Sequence, residues 1–252
     1  MVRFATLGFL SSAAAAKGQN QMKTIGMLGG MSWESTSTYY RAVNEGIKEA
    51  LGGLHSAKIS MVSVDFDELE KLQHADDWNS IAVILSTAAR NVQAGGADFL
   101  MICTNTMHRV APQIEAAVTI PLLHIADATA QQLLKDGIRR VGLLGTRFTM
   151  EQDFYKARLE EEFHIEVLIP ELEDRDLVHE VIYQELCLSK IEASSRSSYL
   201  QIIEKLSARG AEAVILGCTE IALLVQQNLT SVPLYDTTAI HAEQAVVRAL
   251  SK

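Results

Sequence analysis

Two stretches of this 252-residue chain repeat one another, and the repeat constrains the fold more than any other feature. The first runs Gly96-Ala97-Asp98-Phe99-Leu100-Met101-Ile102-Cys103-Thr104-Asn105-Thr106. The second runs Gly210-Ala211-Glu212-Ala213-Val214-Ile215-Leu216-Gly217-Cys218-Thr219-Glu220. Each is a Gly-Ala-acid opening, an apolar run and a polar cluster, at an offset of 114 residues (96 to 210) that sets Thr104 opposite Cys218. A second pair, Thr24–Met31 and Arg140–Arg147, keeps an offset of 116 (24 to 140). Solenoid repeats recur every 20–50 residues or so, far shorter than this period, so duplicated domains are expected instead. The alternative is chance recurrence of "apolar strand, glycine, polar loop" in an α/β chain. A duplicated unit with one reactive group per half suits a reaction needing two groups across one substrate, such as proton transfer at a stereocentre.

Strand and helix patterns alternate, which predicts α/β architecture with parallel sheets covered by helices. Strands are expected at Lys23–Leu28, Lys58–Val64, Asp98–Cys103 and Pro121–Ile125, then at Arg140–Leu144, Ile165–Ile169, Ala213–Leu216 and Pro233–Tyr235. Helices are expected at Thr36–Leu51 with Ser32 as N-cap, at Trp78–Ala94, and from Asp127. In the second half they are expected at Met150–Phe163, Leu177–Leu186, Ser194–Arg209 and Thr237–Leu250. The expected division is two pseudo-symmetric α/β domains, residues 22–121 with 227–252 and residues 122–226, with the active site in the cleft between them.

Hydrophobic residues make up 48% of the chain, enough for a well-supplied core. A net charge of −9 without a Lys/Arg cluster argues against nucleic acid, whose binding rests on phosphate neutralisation. The three cysteines form no disulfide framework or zinc spacing, and the seven histidines are scattered, so no metal is expected. No apolar run is long enough to span a membrane, and a cytoplasmic protein is expected. Met1–Gln21 differ in composition and read as a targeting segment, a cloning remnant, an upstream start or a disordered tail.

Open α/β sheets bind ligands at the carboxyl ends of their strands. Gly29-Gly30-Met31-Ser32, Thr104-Asn105-Thr106, Gly145-Thr146 and Cys218-Thr219-Glu220 all fall there. Cys218 is either a structural core thiol or a reactive one whose thiolate is favoured by amides at a following helix start. Cys187, on an apolar helix face, reads as core. Cys103 points away from Thr104 by strand alternation and reads as packing. Thr104 carries a hydroxyl, a far weaker acid than a thiol; alone it reads as a turn or cap residue. Asn105 and Thr106 offer donors for a carboxylate, or cap a helix from Met107. The Gly29-Gly30 turn is either an anion nest or a plain tight turn. Gln73, His55, His74, His124 and His241 show no spacing logic of their own.

Met27-Leu28-Gly29-Gly30-Met31-Ser32, Cys103-Thr104-Asn105-Thr106-Met107-His108 and Gly217-Cys218-Thr219-Glu220-Ile221 closely resemble the cofactor-independent aspartate/glutamate racemases, in particular the L-aspartate/glutamate subgroup. The resemblance runs from Met22 nearly to the end. It implies a two-base mechanism without pyridoxal phosphate or any other cofactor, and a homodimer acting on a small acidic amino acid. It also implies that Cys218 takes the proton from the L-enantiomer, with Thr104 on the opposite face. Met31, Gln73, Asn105, Thr106, Thr219 and Glu220 match substrate-lining positions, and Ser189 or Lys190 falls where the distal carboxylate is held.

The chain departs from the family pattern where the first cysteine is replaced by Thr104. Cys103, one place early, faces the other side of the strand. A hydroxyl hands a proton to a carbanion more readily than it removes one, so turnover favouring L-substrates is expected. The alternatives are a single-cysteine maleate isomerase or malonate-type decarboxylase, and a non-catalytic amino-acid-binding protein.

Overall fold

The computed structural model describes residues 22–252; the reading of Met1–Gln21 lies outside the described residues. In the first half, β1 (Ile25–Gly29), β2 (Ile59–Ser63) and β3 (Phe99–Ile102) form a parallel sheet in the order β2-β1-β3. In the second, β4 (Arg140–Gly145), β5 (Glu166–Leu168), β6 (Ala213–Gly217) and β7 (Leu234–Asp236) form another in the order β5-β4-β6-β7. The expected fourth strand at Pro121–Ile125 shrinks to one parallel bridge, Leu100 to Leu122, flanking β3 as β7 flanks β6.

The duplication is visible in individual hydrogen bonds. Asp98 Oδ2 accepts the Thr24 amide at 2.6 Å, and Glu212 Oε2 accepts those of Arg139 and Arg140 at 2.8 Å. The Leu100 amide donates to Pro121 at 3.0 Å and the Val214 amide to Pro233 at 2.8 Å. The acid of each Gly-Ala-acid opening thus ties down the start of the neighbouring central strand.

Every residue of β1 and β6 is buried because helices cover both faces of each sheet, as parallel sheets require. Ile25 and Met27 pack with Tyr39, Val43 and Ile47 of α1 (Trp33–Leu51), on the face where α11 (Thr237–Leu250) also lies. Leu28 packs with Ile81 and Leu85 from the helix Trp78–Ala94, taken here as α3. Between α1 and α3 lies α2 (Phe66–His74), which the sequence reading passed over; Asp65 caps it by accepting the Asp67 amide at 3.2 Å. α4 (Ala111–Ala117) was likewise unforeseen, and α5 (Ile125–Lys135) starts two residues before the expected Asp127.

The helix expected at Met150–Phe163 is interrupted. α6 (Arg147–Glu151) ends at Gln152, whose extended backbone starts α7 (Asp153–Ala157), and a π-turn follows at Arg158–Glu162. Arg158 pairs there with Asp127 of α5, turning this segment onto the neighbouring helix. α8 (Leu172–Gln184) begins five residues before the expected Leu177, since Glu173 and Asp174 suit the positive end of a helix. α9 (Ala193–Ala208) matches its expected span to one residue at each end. α10 (Ile221–Leu224) follows β6, and α11 packs on both α1 and α5. β7 belongs to the second sheet, and α11 follows it directly. Among the described residues, no helix is long and apolar enough to cross a membrane.

Candidate active site

The strand-end clusters of both halves converge on one cleft of about 40 Å³. Met31, Ser32, Thr104, Asn105, Thr106, Thr146, Cys218, Thr219 and Glu220 all line it, as does Gln73 from α2. Gly30 makes the turn that brings Met31 and Ser32 there. Its φ is +93°, and a Cβ would stand 2.2 Å from the Val64 carbonyl oxygen, so no other residue fits without displacement.

Cys218 sits one residue beyond β6. Its Sγ donates to Glu220 Oε2 at 3.0 Å. Glu220 is buried, and its Oε1 accepts from Ser32 Oγ at 3.0 Å and Ser35 Oγ at 2.9 Å. Ser32 also caps α1, accepting the Ser35 amide at 3.3 Å. The first half therefore holds the carboxylate against which the second half sets its thiol. Burial first, and then the Glu220 charge, push the Cys218 thiol well above its usual range. This corrects the expectation of a thiolate favoured by helix amides: α10 has only four residues, and Glu220 offsets what its start contributes.

Thr104 sits two residues beyond β3, partly buried, and its carbonyl accepts from His108 Nδ1 at 2.8 Å. Among the described residues its hydroxyl has no hydrogen-bond partner. Thr106 Oγ1 lies 3.1 Å from Thr146 Oγ1, and Thr149 Oγ1 completes the group, 3.2 Å from Thr146. Asn105 Nδ2 donates to Thr237 Oγ1 at 3.1 Å, and the Thr237 hydroxyl donates to the Leu216 carbonyl at 3.0 Å. That order settles the amide's orientation and leaves Asn105 Oδ1 buried in the cleft wall without a partner. A buried acceptor of this kind is costly until a donor arrives.

Ser189 and Lys190 are exposed and outside the residues that line the cleft. α8 gives way to a 3-10 turn at Leu186–Leu188, which ends at Ser189 in left-handed conformation, φ +59°. Cys187 packs against the second-half core, as read, and that turn also brings it to the cleft; burial pushes its thiol up to about 12. Cys103 is fully buried against the α1 and α11 side of the sheet, as expected. Tyr183 is the main cleft residue that the sequence reading missed. It accepts Gln73 Nε2 at 3.1 Å, joining α8 to α2 across the two halves. Its only sequence signal is a place on a long amphipathic stretch. Among the described residues, no Lys or Arg lines the cleft, and no group of three or more His, Cys, Asp or Glu side chains could hold a metal ion.

Residues 28–245 match the Asp/Glu/Hydantoin racemase family, and the chain belongs to it. It is similar to the crystal structure of a Yersinia pestis protein assigned as an Asp/Glu racemase, with 55% identity, 91% of this chain and 100% of that one covered, and a TM-score of 0.87. An aspartate racemase homologue from Pyrococcus horikoshii is 33% identical, with coverage of 91% and 100% and a TM-score of 0.80. The broad-specificity amino-acid racemase RacX of Bacillus subtilis is 22% identical over 88% of this chain and 96% of its own length. The neighbours share the two-domain α/β architecture, and named relatives of the chain are amino-acid racemases, which are isomerases.

Proposed function

We propose that the chain racemises aspartate or glutamate by two-base α-proton transfer, with Cys218 as the base toward the L-enantiomer and Thr104 on the opposite face. The observation that carries this reading is the placement of Thr104 and Cys218 in one cleft, just beyond the equivalent strands β3 and β6.

In the L-to-D direction, the Cys218 proton passes to Glu220 Oε2 along the existing hydrogen bond, leaving a thiolate. The thiolate takes the α-proton: the Cα–H bond breaks, an S–H bond forms, and the electron pair stays on the substrate as a carbanion delocalised into its carboxylate. Thr104 then gives its hydroxyl proton to the other face, forming the new Cα–H bond; its alkoxide is reprotonated by water, and Glu220 gives the proton it took to the hydroxide so formed, which restores both groups. Hydroxyls and amides around the cleft stabilise the developing charge.

Asn105 Oδ1, lacking a partner, suits the substrate's α-ammonium group. Thr106, Thr146 and Thr219 supply uncharged donors for the α-carboxylate. Gln73 and Tyr183 take the side-chain carboxylate in place of the expected Ser189 and Lys190. The same reading includes a cytoplasmic homodimer, which cell fractionation and light scattering test.

Chiral separation after incubation with each enantiomer of aspartate and glutamate tests the function. Accumulation of the D-form from at least one L-substrate is expected, faster than the reverse. No conversion, with turnover of maleate or an arylmalonate instead, would replace racemisation by the isomerase or decarboxylase alternative.

A further inference from the structure

Thr237 opens α11 fully buried, and it is not among the residues that line the cleft. Its oxygen accepts from Asn105, the residue after Thr104, and its proton goes to Leu216, two residues before Cys218. One hydroxyl therefore ties the loop carrying one acid/base group to the strand carrying the other. The position matching it in the repeat is Ile125 at the start of α5, which has no side-chain group to make such a tie. There His108 reaches from the Thr104 loop to α5: Nδ1 donates to the Thr104 carbonyl at 2.8 Å, and Nε2 accepts the amide of Ile125, which packs in the second-half core, at 3.3 Å. The repeat is thus unmatched at this position, where the Thr237 hydroxyl joins the two acid/base segments behind the cleft.

We propose that Thr237 is a positioning residue that holds the Thr104 loop and the Cys218 strand at the spacing proton transfer across the α-carbon requires. The role rests on the two-base reading above. A carbanion formed from the L-enantiomer has two fates. Exchange of the Cys218 S–H hydrogen with solvent through Glu220, followed by reprotonation from Cys218, returns the L-form carrying solvent hydrogen; protonation from Thr104 gives the D-form. Small displacements of a reacting group cost large factors in rate, so the partition between these fates reports the placement of Thr104 relative to Cys218.

The test is incubation of L-aspartate and L-glutamate in D2O with the wild-type chain, Thr237→Val and Thr237→Ser. For each, the yield of D-enantiomer is divided by the yield of deuterated L-enantiomer. Both yields scale with the amount of folded enzyme, so their ratio is unaffected by partial unfolding of a variant. Thr237→Val, which keeps the shape and removes the hydroxyl, is expected to lower the ratio by about tenfold or more. Thr237→Ser, which keeps the hydroxyl, is expected to stay within about threefold of wild type. A wild-type ratio in Thr237→Val, or an equal fall in Thr237→Ser, overturns the role. Absence of exchange in the wild-type chain is a separate outcome: it removes the two-base reading, and this role with it.

Discussion

Cys218 and Glu220 are joined by a 3.0 Å hydrogen bond from Sγ to Oε2, while the other carboxylate oxygen is held by two serines from the opposite half of the molecule. A thiol two residues from a carboxylate in sequence thus meets it in a geometry completed by residues more than 180 positions away. Because burial and the Glu220 charge keep Cys218 protonated at rest, the thiol becomes a base only when its proton has somewhere to go.

Replacing Glu220 by Gln removes that acceptor with little change of shape. The expected result is a fall in kcat of about 10²–10⁴, the usual scale for loss of an acid–base group, with KM within a few-fold. Steady-state kinetics with L-aspartate and L-glutamate measure it. A Glu220→Gln variant with wild-type kcat would show that Cys218 ionises by another route.

Thr104 is the position at which the two halves differ chemically. Thr104→Cys gives both halves a thiol, and a thiol is the better base in the D-to-L direction. The expected outcome is a rise of about tenfold or more in kcat/KM for the D-enantiomer, bringing the two directions closer together. Comparable kcat/KM values for both enantiomers in the wild-type chain would count against the proposed asymmetry.

Two thiols line the cleft, and only one has a carboxylate within hydrogen-bond reach. Cys187→Ser is expected to keep α-proton exchange within about threefold of wild type, whereas Cys218→Ala abolishes it, because acid–base catalysis needs a group within reach of the proton. Equal losses in both variants would make Cys187 a participant.

Repetition made much of this legible in the sequence. The two Gly-Ala-acid strands and the four strand-end clusters facing one cleft follow from matching one half to the other, whereas the fastening by Asp98 and Glu212 shows only in the fold. Helix ends were harder where the first turn is charged, as at Glu173 and Asp174, since the apolar period starts later than the helix. The cleft contributions of Tyr183 and Cys187 could not be read from local pattern. Each depends on where α8 stops and how its last turn tightens, and the other side of each contact lies in a distant segment. The serine grip on Glu220 is of the same kind: Ser32 reads correctly as a helix cap, but its second partner is a product of the whole fold.

Three histidines gather in the interior. His108 and His124 have ring centroids 4.5 Å apart, and His241 joins Tyr39 at 3.0 Å and the Leu123 carbonyl at 2.8 Å. Burial lowers all three, His124 to about 3 and His241 to about 4, from an ordinary value near 6.5. Below pH 6.5 the unfolded chain therefore binds protons that the folded chain refuses, and stability falls as pH drops toward 4. Each histidine contributes a slope of up to about 1.4 kcal/mol per pH unit. His179, also lowered by burial, adds to the three, and Asp236, whose carboxyl burial raises, acts in the opposite direction. Denaturant unfolding between pH 7 and 5 measures the balance, and stability that stays flat or rises on acidification contradicts it.

Proton NMR of L-aspartate, L-glutamate and their D-forms in D2O, with the wild-type chain and Cys218→Ala side by side, tests the central claim most directly. The account predicts loss of the α-proton signal from at least one L-substrate, slower loss from its D-form, and no loss with Cys218→Ala. Exchange that survives in Cys218→Ala, or a wild-type chain that exchanges none of the four, would contradict it.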